Sequence, residues 1–210
     1  MHRIAVSLWV VGLSAWGLAV SCSPGAGDER PNILLITLDT TRADRIGAYG
    51  DTEARTPALD ALAERGVLFE RAYSPVPLTL PSHTTILTGL APPAHGVRDN
   101  GRFVAPDTLE TVAEHLSERG YATGAFVAAF VLDRSFGLDQ GFAVYDDDTQ
   151  SDRNPLSFMV PTRRGEQVTD RALAWLGDRH GARDAPFFVW AHYYDPHAPR
   201  DPPPPYDEMG

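Results

Sequence analysis

Cys22 is the only cysteine in this 210-residue chain, so no internal disulfide can form, and an exported form of the protein would have to rely on its core. Clusters of basic residues are absent too. The net charge is -10 and Lys and Arg gather nowhere, so the electrostatic footprint needed for nucleic-acid binding is missing and no such partner is expected. There is no internal repeat, which sets solenoids and propellers aside. The rest of the composition, 43% apolar, 22% charged and 10% aromatic, is that of a globular domain able to bury a core.

The N-terminus reads as a targeting device. His2 and Arg3 precede an uncharged, mostly apolar run from Ile4 to Val20, then Ser21 and Cys22. That run is long for a signal-peptide core and short of the roughly 20 residues of a membrane span. The small-residue stretch Ala19-Val20-Ser21-Cys22 resembles the cleavage site of bacterial lipoproteins, whose cysteine becomes the lipidated first residue, although Ala19 stands where leucine is commoner. The expected organisation is a signal peptide over 1–21, a lipidated tether over 22–30 containing Pro24, Gly25 and Gly27, and a folded domain over 31–210. An uncleaved anchor, or cleavage elsewhere with an idle Cys22, is the alternative. Either way the domain is exported, periplasmic or at the cell surface, and touches a membrane only through an N-terminal anchor.

From Pro31 onward, strand and helix patterns alternate. Residues 32–38 form an aliphatic run bounded by Pro31 and Asp39, as in a strand buried on both faces of a parallel sheet. Thr56-Pro57 opens a helix with Leu59, Leu62 and Ala63 on one side, closed by Gly66. A second strand is expected over 67–73. Asp107-Thr108, with Glu110 and Thr111, starts a helix that stops at Gly120; a strand follows over 121–130. After a polar, irregular stretch from Tyr145 to Arg164, a helix over 166–179 and a strand over 186–193 are expected. This alternation implies an α/β fold with a mostly parallel central sheet and helices on both faces.

Ligands of such sheets bind beyond the carboxyl ends of the strands. Asp39 stands at one such end, and His192, Asp195 and His197 stand at or just past another. A strand-end Asp is most often a turn former or a cap. Thr79 lies just ahead of Pro81 and the segment 82–88, which ends at Gly89, so its hydroxyl falls at the mouth of a short helix among free backbone N–H groups. Pattern alone leaves Thr79 as either a helix cap or a hydroxyl activated by a divalent cation.

The segments Pro31 to Asp39, Arg42-Ala43-Asp44 and Gly47-Ala48-Tyr49-Gly50 resemble the opening of sulfatases within the alkaline phosphatase superfamily. Thr79 to Gly89, continuing through Pro92, His95-Gly96-Val97 and Asn100, resembles their nucleophile segment, and Asp195-Pro196-His197-Ala198-Pro199 resembles a later substrate-binding loop. All three occur in the family's order. The resemblance implies an alkaline-phosphatase-like fold, of which the chain holds the N-terminal portion, truncated before ligands that relatives supply from their second half. It also implies a divalent cation held by Asp39 and Thr79, with Thr79 as nucleophile. Asn100 and His197 would contact the ester, and His83 would stand where sulfatases carry an arginine and orient the nucleophile loop or simply pack. Asn100 has a second reading as part of the tight turn Asp99-Asn100-Gly101. For His192, core packing beside Trp190 weighs as much as a place at the site. His95, His115 and His180 read as structural or surface residues.

Two departures shape the expectation. Formylglycine sulfatases convert a Cys or Ser, which Thr79 cannot imitate, whereas nucleotide pyrophosphatases and phosphodiesterases of the superfamily use an unmodified Thr in a similar Thr-x-Pro-x-His setting. Thr40 replaces a frequent second Asp, and fewer carboxylates favour zinc over calcium. The expected activity is metal-dependent hydrolysis of a small-molecule or glycan sulfate or phosphate ester. A phosphodiesterase, a phosphoryl-group transferase or a non-catalytic lipid-anchored anion-binding domain are the alternatives.

Overall fold

The computed structural model describes residues 30–149, 161–178, 185–200 and 202. The expected signal peptide, Cys22 and residues 22–29 of the tether lie outside the described residues, as does His180.

Four strands make one parallel sheet: β1 (Ile33–Leu38), β2 (Ala122–Phe126), β3 (Val144–Asp146) and β4 (Phe187–Tyr193), in the order β1-β4-β2-β3. Period-two alternation assigns the faces. Phe188 and Trp190 of β4, with Ala125 of β2, pack against Leu80 and Leu87 of α2 (Thr79–Thr88) and Ala113 of α4 (Val112–Glu118). Val189 and Ala191, with Phe126, pack on the other face against Val168 and Ala172 of α5 (Gly165–Asp178). Helices therefore cover both faces, as the alternation implies. Two helices lie outside this sandwich: α1 (Pro57–Arg65), which buries none of its residues, and the short α3 (Pro92–His95) beside α2.

Three sequence expectations are corrected. Residues 67–73 join no strand: Val67, Phe69 and Tyr73 are 80%, 69% and 85% exposed. Their β-branched and aromatic character suits a half-buried pleated surface, and none is offered there. The remaining strand is instead β3, which falls in the stretch expected to be irregular. Its Tyr145 ring packs on Phe142 and Trp190, and Asp146 pairs with the buried Arg163 at 2.7 Å. Finally, β1 is an edge strand covered on one face only, with Leu34 and Ile36 57% and 48% exposed on the side opposite Leu35.

Element ends also differ. Thr111, rather than Asp107, caps α4: its hydroxyl accepts from Glu114 N–H while the Glu114 carboxylate accepts from Thr111 N–H. The strand expected over 121–130 stops at Phe126, after which Phe130–Leu132 turns in a 3-10 helix.

Candidate active site

A cleft of about 630 Å³ opens at the carboxyl ends of β1 and β4, walled by Asp39, Thr79, His83, Asn100 and His197 among others. The five residues to which the resemblance assigned site roles are thus brought to one place. Asp39 extends the β1–β4 ladder, its N–H donating to the Tyr193 carbonyl at 2.9 Å. The chain then turns at Thr40, whose φ of 52° is a left-handed conformation that costs a β-branched residue on the order of 1–2 kcal/mol.

The two readings of Thr79 separate here. Leu78 is the residue preceding α2, and no side chain caps that end from within. The Thr79 hydroxyl leaves its own helix and donates to Asp39 Oδ2, forty residues away, at 3.0 Å. The capping role falls to Asn100, whose Oδ1 accepts from the Leu80 N–H at 2.9 Å while Gly101, in the same turn, adopts φ 73°. The turn reading of Asn100 therefore holds, and its amide N–H groups meet no partner among the described residues.

His83 is buried, with Nδ1 2.7 Å from the Thr79 carbonyl oxygen. A carbonyl can only accept, so Nδ1 carries the proton and Nε2 is left as a lone pair, unpartnered among the described residues. Burial, reinforced by neighbouring His192, pushes the His83 pKa down to about 4. At neutral pH the ring is therefore an uncharged acceptor.

His192 is the residue that pattern reading undervalued. It does pack beside Trp190, ring centroids 6.4 Å apart, but its Nε2 also lies 3.2 Å from Asp39 Oδ2. The available signal was parity: Thr37 faces His192 in the β1–β4 register, so Asp39 and His192 fall on the same face of neighbouring strands. Burial pushes the Asp39 carboxyl up. The hydrogen bonds that the carboxylate accepts from His192 and from the Thr79 hydroxyl outweigh it, leaving the pKa below the usual carboxylate value.

His197 stacks on Tyr194, centroids 4.3 Å apart at 15°, and its Nδ1 donates to the Ala198 carbonyl at 2.6 Å. Asp195 does not join the site: it accepts from the Gly165 N–H at 3.0 Å and pins the start of α5 to the end of β4. His95 is structural, bonded to the Thr85 hydroxyl and the Val97 N–H, and His115 lies at the surface beside Glu110. A second cleft, beside α1, contains Asp51 and Asp60, whose carboxylates are taken up by the backbone N–H groups of Glu53, Ala54 and Ala48.

The cleft's donor set suits part of a cation shell. Asp39 and Thr79 offer hard oxygen atoms 3.0 Å apart, and Asp39 Oδ1 takes no hydrogen bond among the described residues. Among those residues no group of three or more His, Cys, Asp or Glu is placed to hold a metal, so Asp39 Oδ1 and the Thr79 hydroxyl oxygen fit as two ligands of a larger set.

A family model, Sulfatase, matches residues 31–209. N-acetylglucosamine-6-O-sulfatase of Bacteroides thetaiotaomicron is 26% identical over 91% of this chain and 35% of its own length. Delta 4,5-hexuronate-2-O-sulfatase of the same organism is 35% identical over 50% of this chain and 23% of its own length. The chain thus spans about a quarter to a third of these relatives. Among solved structures, phosphonate monoester hydrolase of Agrobacterium radiobacter superposes with a TM-score of 0.68 at 25% identity, over 86% of this chain and 44% of that one. A protein in the alkaline phosphatase superfamily from Vibrio parahaemolyticus gives 0.64 at 22%, over 85% and 44%, a likeness of fold. The chain belongs to the sulfatase family and has the fold of the alkaline phosphatase superfamily.

Proposed function

We propose that this chain belongs to a divalent-cation-dependent hydrolase of sulfate or phosphate esters, with Thr79 as nucleophile and Asp39 as cation ligand. The observation that carries this is the 3.0 Å contact between Thr79 Oγ1 and Asp39 Oδ2, made across forty residues inside one cleft. Helix packing alone does not call for it. Asp39 and Thr79 would hold the cation, with further ligands from outside the described residues; a bound divalent ion supplies Lewis acidity that makes a hydroxyl nucleophilic near neutral pH.

The remaining steps belong to the protein. Asp39 Oδ2, ionised and already in contact with the hydroxyl, holds it in place. Thr79 Oγ, having given its proton to solvent, forms a bond to sulfur or phosphorus as the bond to the ester oxygen breaks; that oxygen leaves with the electron pair and takes a proton from water. Asn100 keeps the start of α2 in place through its oxygen and presents its amide N–H groups to a non-bridging ester oxygen. His83 holds the Thr79 carbonyl, and His197 contacts the anion from the opposite loop. Water then releases the sulfo- or phospho-threonine.

Similarity to sulfatases of glycan sugars supports a glycan sulfate ester as substrate. A phosphate diester or phosphonate ester is the second reading, favoured by the unmodified Thr79 and by likeness to phosphonate monoester hydrolase. The test is turnover of aryl sulfate, phosphate diester and phosphate monoester substrates by the full-length protein with Zn²⁺ or Ca²⁺. Thr79→Ala is expected to abolish activity in each case, and unchanged activity would refute the proposal. We further propose, from the sequence around Cys22, that the protein is an exported lipoprotein; labelling with a fatty-acid probe should be lost in Cys22→Ala.

A further inference from the structure

We propose that His192 is a positioning residue that fixes the orientation of the Asp39 carboxylate. This inference rests on the reading of Asp39 as a cation ligand given above.

His192 is fully buried, and its two ring nitrogens face partners of opposite kinds. The Ala128 backbone N–H, 3.3 Å from Nδ1, can only donate, so Nδ1 must present its lone pair. The neutral ring then carries its proton on Nε2, and that proton is donated to Asp39 Oδ2 at 3.2 Å. A nitrogen whose proton is engaged in this way does not ligate a cation. His192 therefore stands behind the carboxylate as its hydrogen-bond donor, as the partners of ligating side chains do in metal sites generally.

The geometry fixes which oxygen remains. Oδ2 receives both the His192 N–H and the Thr79 hydroxyl, while Oδ1 receives no hydrogen bond among the described residues. Two donors on one oxygen hold the carboxylate plane and leave the other oxygen as the available donor atom on the cleft wall. Each contact to this carboxylate has a rigid base. Ala128 lies two residues past the end of β2, His192 belongs to β4 and is wedged edge-on against His83 (5.0 Å, 83°), and Thr79 is the first residue of α2. An imidazole thus passes the position of the central strands to the carboxylate. A substitution at 192 should alter the affinity for the cation while leaving the nucleophile in place.

Three variants of the full-length protein separate this role from core packing. His192→Asn keeps an acceptor for the Ala128 N–H but removes the donor to Asp39; His192→Gln reaches the Nε2 position and restores that donor; His192→Ala removes both. Zn²⁺ affinity, measured by competition with a chromogenic chelator, is expected to fall about 10–100-fold in His192→Asn and His192→Ala and to recover in His192→Gln. Equal affinity in wild type and His192→Asn overturns the proposal. Long-range 1H–15N correlation spectra of the metal-free protein give a readout independent of activity and metal: His192 is expected to show a protonated Nε2 and an unprotonated Nδ1, and the reverse pattern overturns the proposal. If the wild type binds no divalent cation, the cation-site reading fails, and the tautomer measurement still decides whether His192 donates to Asp39.

Discussion

Asn100 uses the two ends of one amide for different purposes, and substitution can part them. Its oxygen satisfies the Leu80 N–H, one of the orphan donors at the start of α2, and its N–H groups are the ones the proposed mechanism assigns to the ester. Asn100→Ala should therefore cost about 1 kcal/mol of stability as well as turnover. Asn100→Asp keeps an acceptor at a helix N-terminus, so denaturant titration should show near-normal stability, while a second negative charge beside an anionic substrate should lower kcat/KM by a factor of ten or more. A different residue, His83, contributes to the pH response of the fold. In the unfolded chain it takes up a proton near 6.5, in the folded protein only near 4. Between those values the unfolded state binds the extra proton, so this contribution to stability is complete above about 6.5 and declines as pH falls towards 4, by up to about 3 kcal/mol. Urea titrations of the metal-free protein across that window should show the decline, and His83→Gln should flatten it. Asp39, with its pKa held below the usual carboxylate value, loses its contribution only at still lower pH.

The elements explain why some of this was legible in the sequence and some was not. The helices α1 and α5 have ends marked by Pro57, Gly66 and an amphipathic repeat, and they lie within a residue of where those signals put them. A signal of the wrong sort misled at residues 67–73, where apolar, β-prone residues meet no sheet and stay exposed. The strand β3 was invisible for the opposite reason: three residues cannot show a period, and Tyr145 is held by its ring contacts and its hydroxyl bond to Leu132 O rather than by a pattern. Asp39 and Thr79 could be named from the sequence because each sits at an element end, whereas His192 lies inside a strand, and its role depends on which strand is its neighbour. The capping box of α4 tests the same point about element ends. Thr111→Ala should lower stability by about 1 kcal/mol, because the Glu114 N–H loses its acceptor, while the analogous Asp107→Ala should change it little. Thermal unfolding of the pair distinguishes the true helix start from the one the sequence suggests.

At the scale of the whole molecule, the sheet is unevenly covered. The central strands β4 and β2 are covered on both faces, while β1 ends the sheet with an unpaired edge among the described residues and a row formed by Leu34 and Ile36 on its open face. Exposed strand edges flanked by apolar side chains are templates for pairing with another chain. Opposing this is the net charge of -10, which makes copies repel one another at low ionic strength. The balance should therefore shift with salt. As the screening length falls from about 10 Å at 0.1 M to about 3 Å at 1 M, repulsion fades while the apolar row is unaffected. Residues 31–210 expressed alone are expected to self-associate more strongly at 1 M than at 0.1 M salt in sedimentation velocity. The double substitution Leu34→Glu with Ile36→Glu, which places charge on the exposed face, should abolish that association and leave the far-UV circular dichroism unchanged. Association that persists in the double variant would assign the contact to another surface, with the exposed segment Val67, Phe69 and Tyr73 the next to substitute.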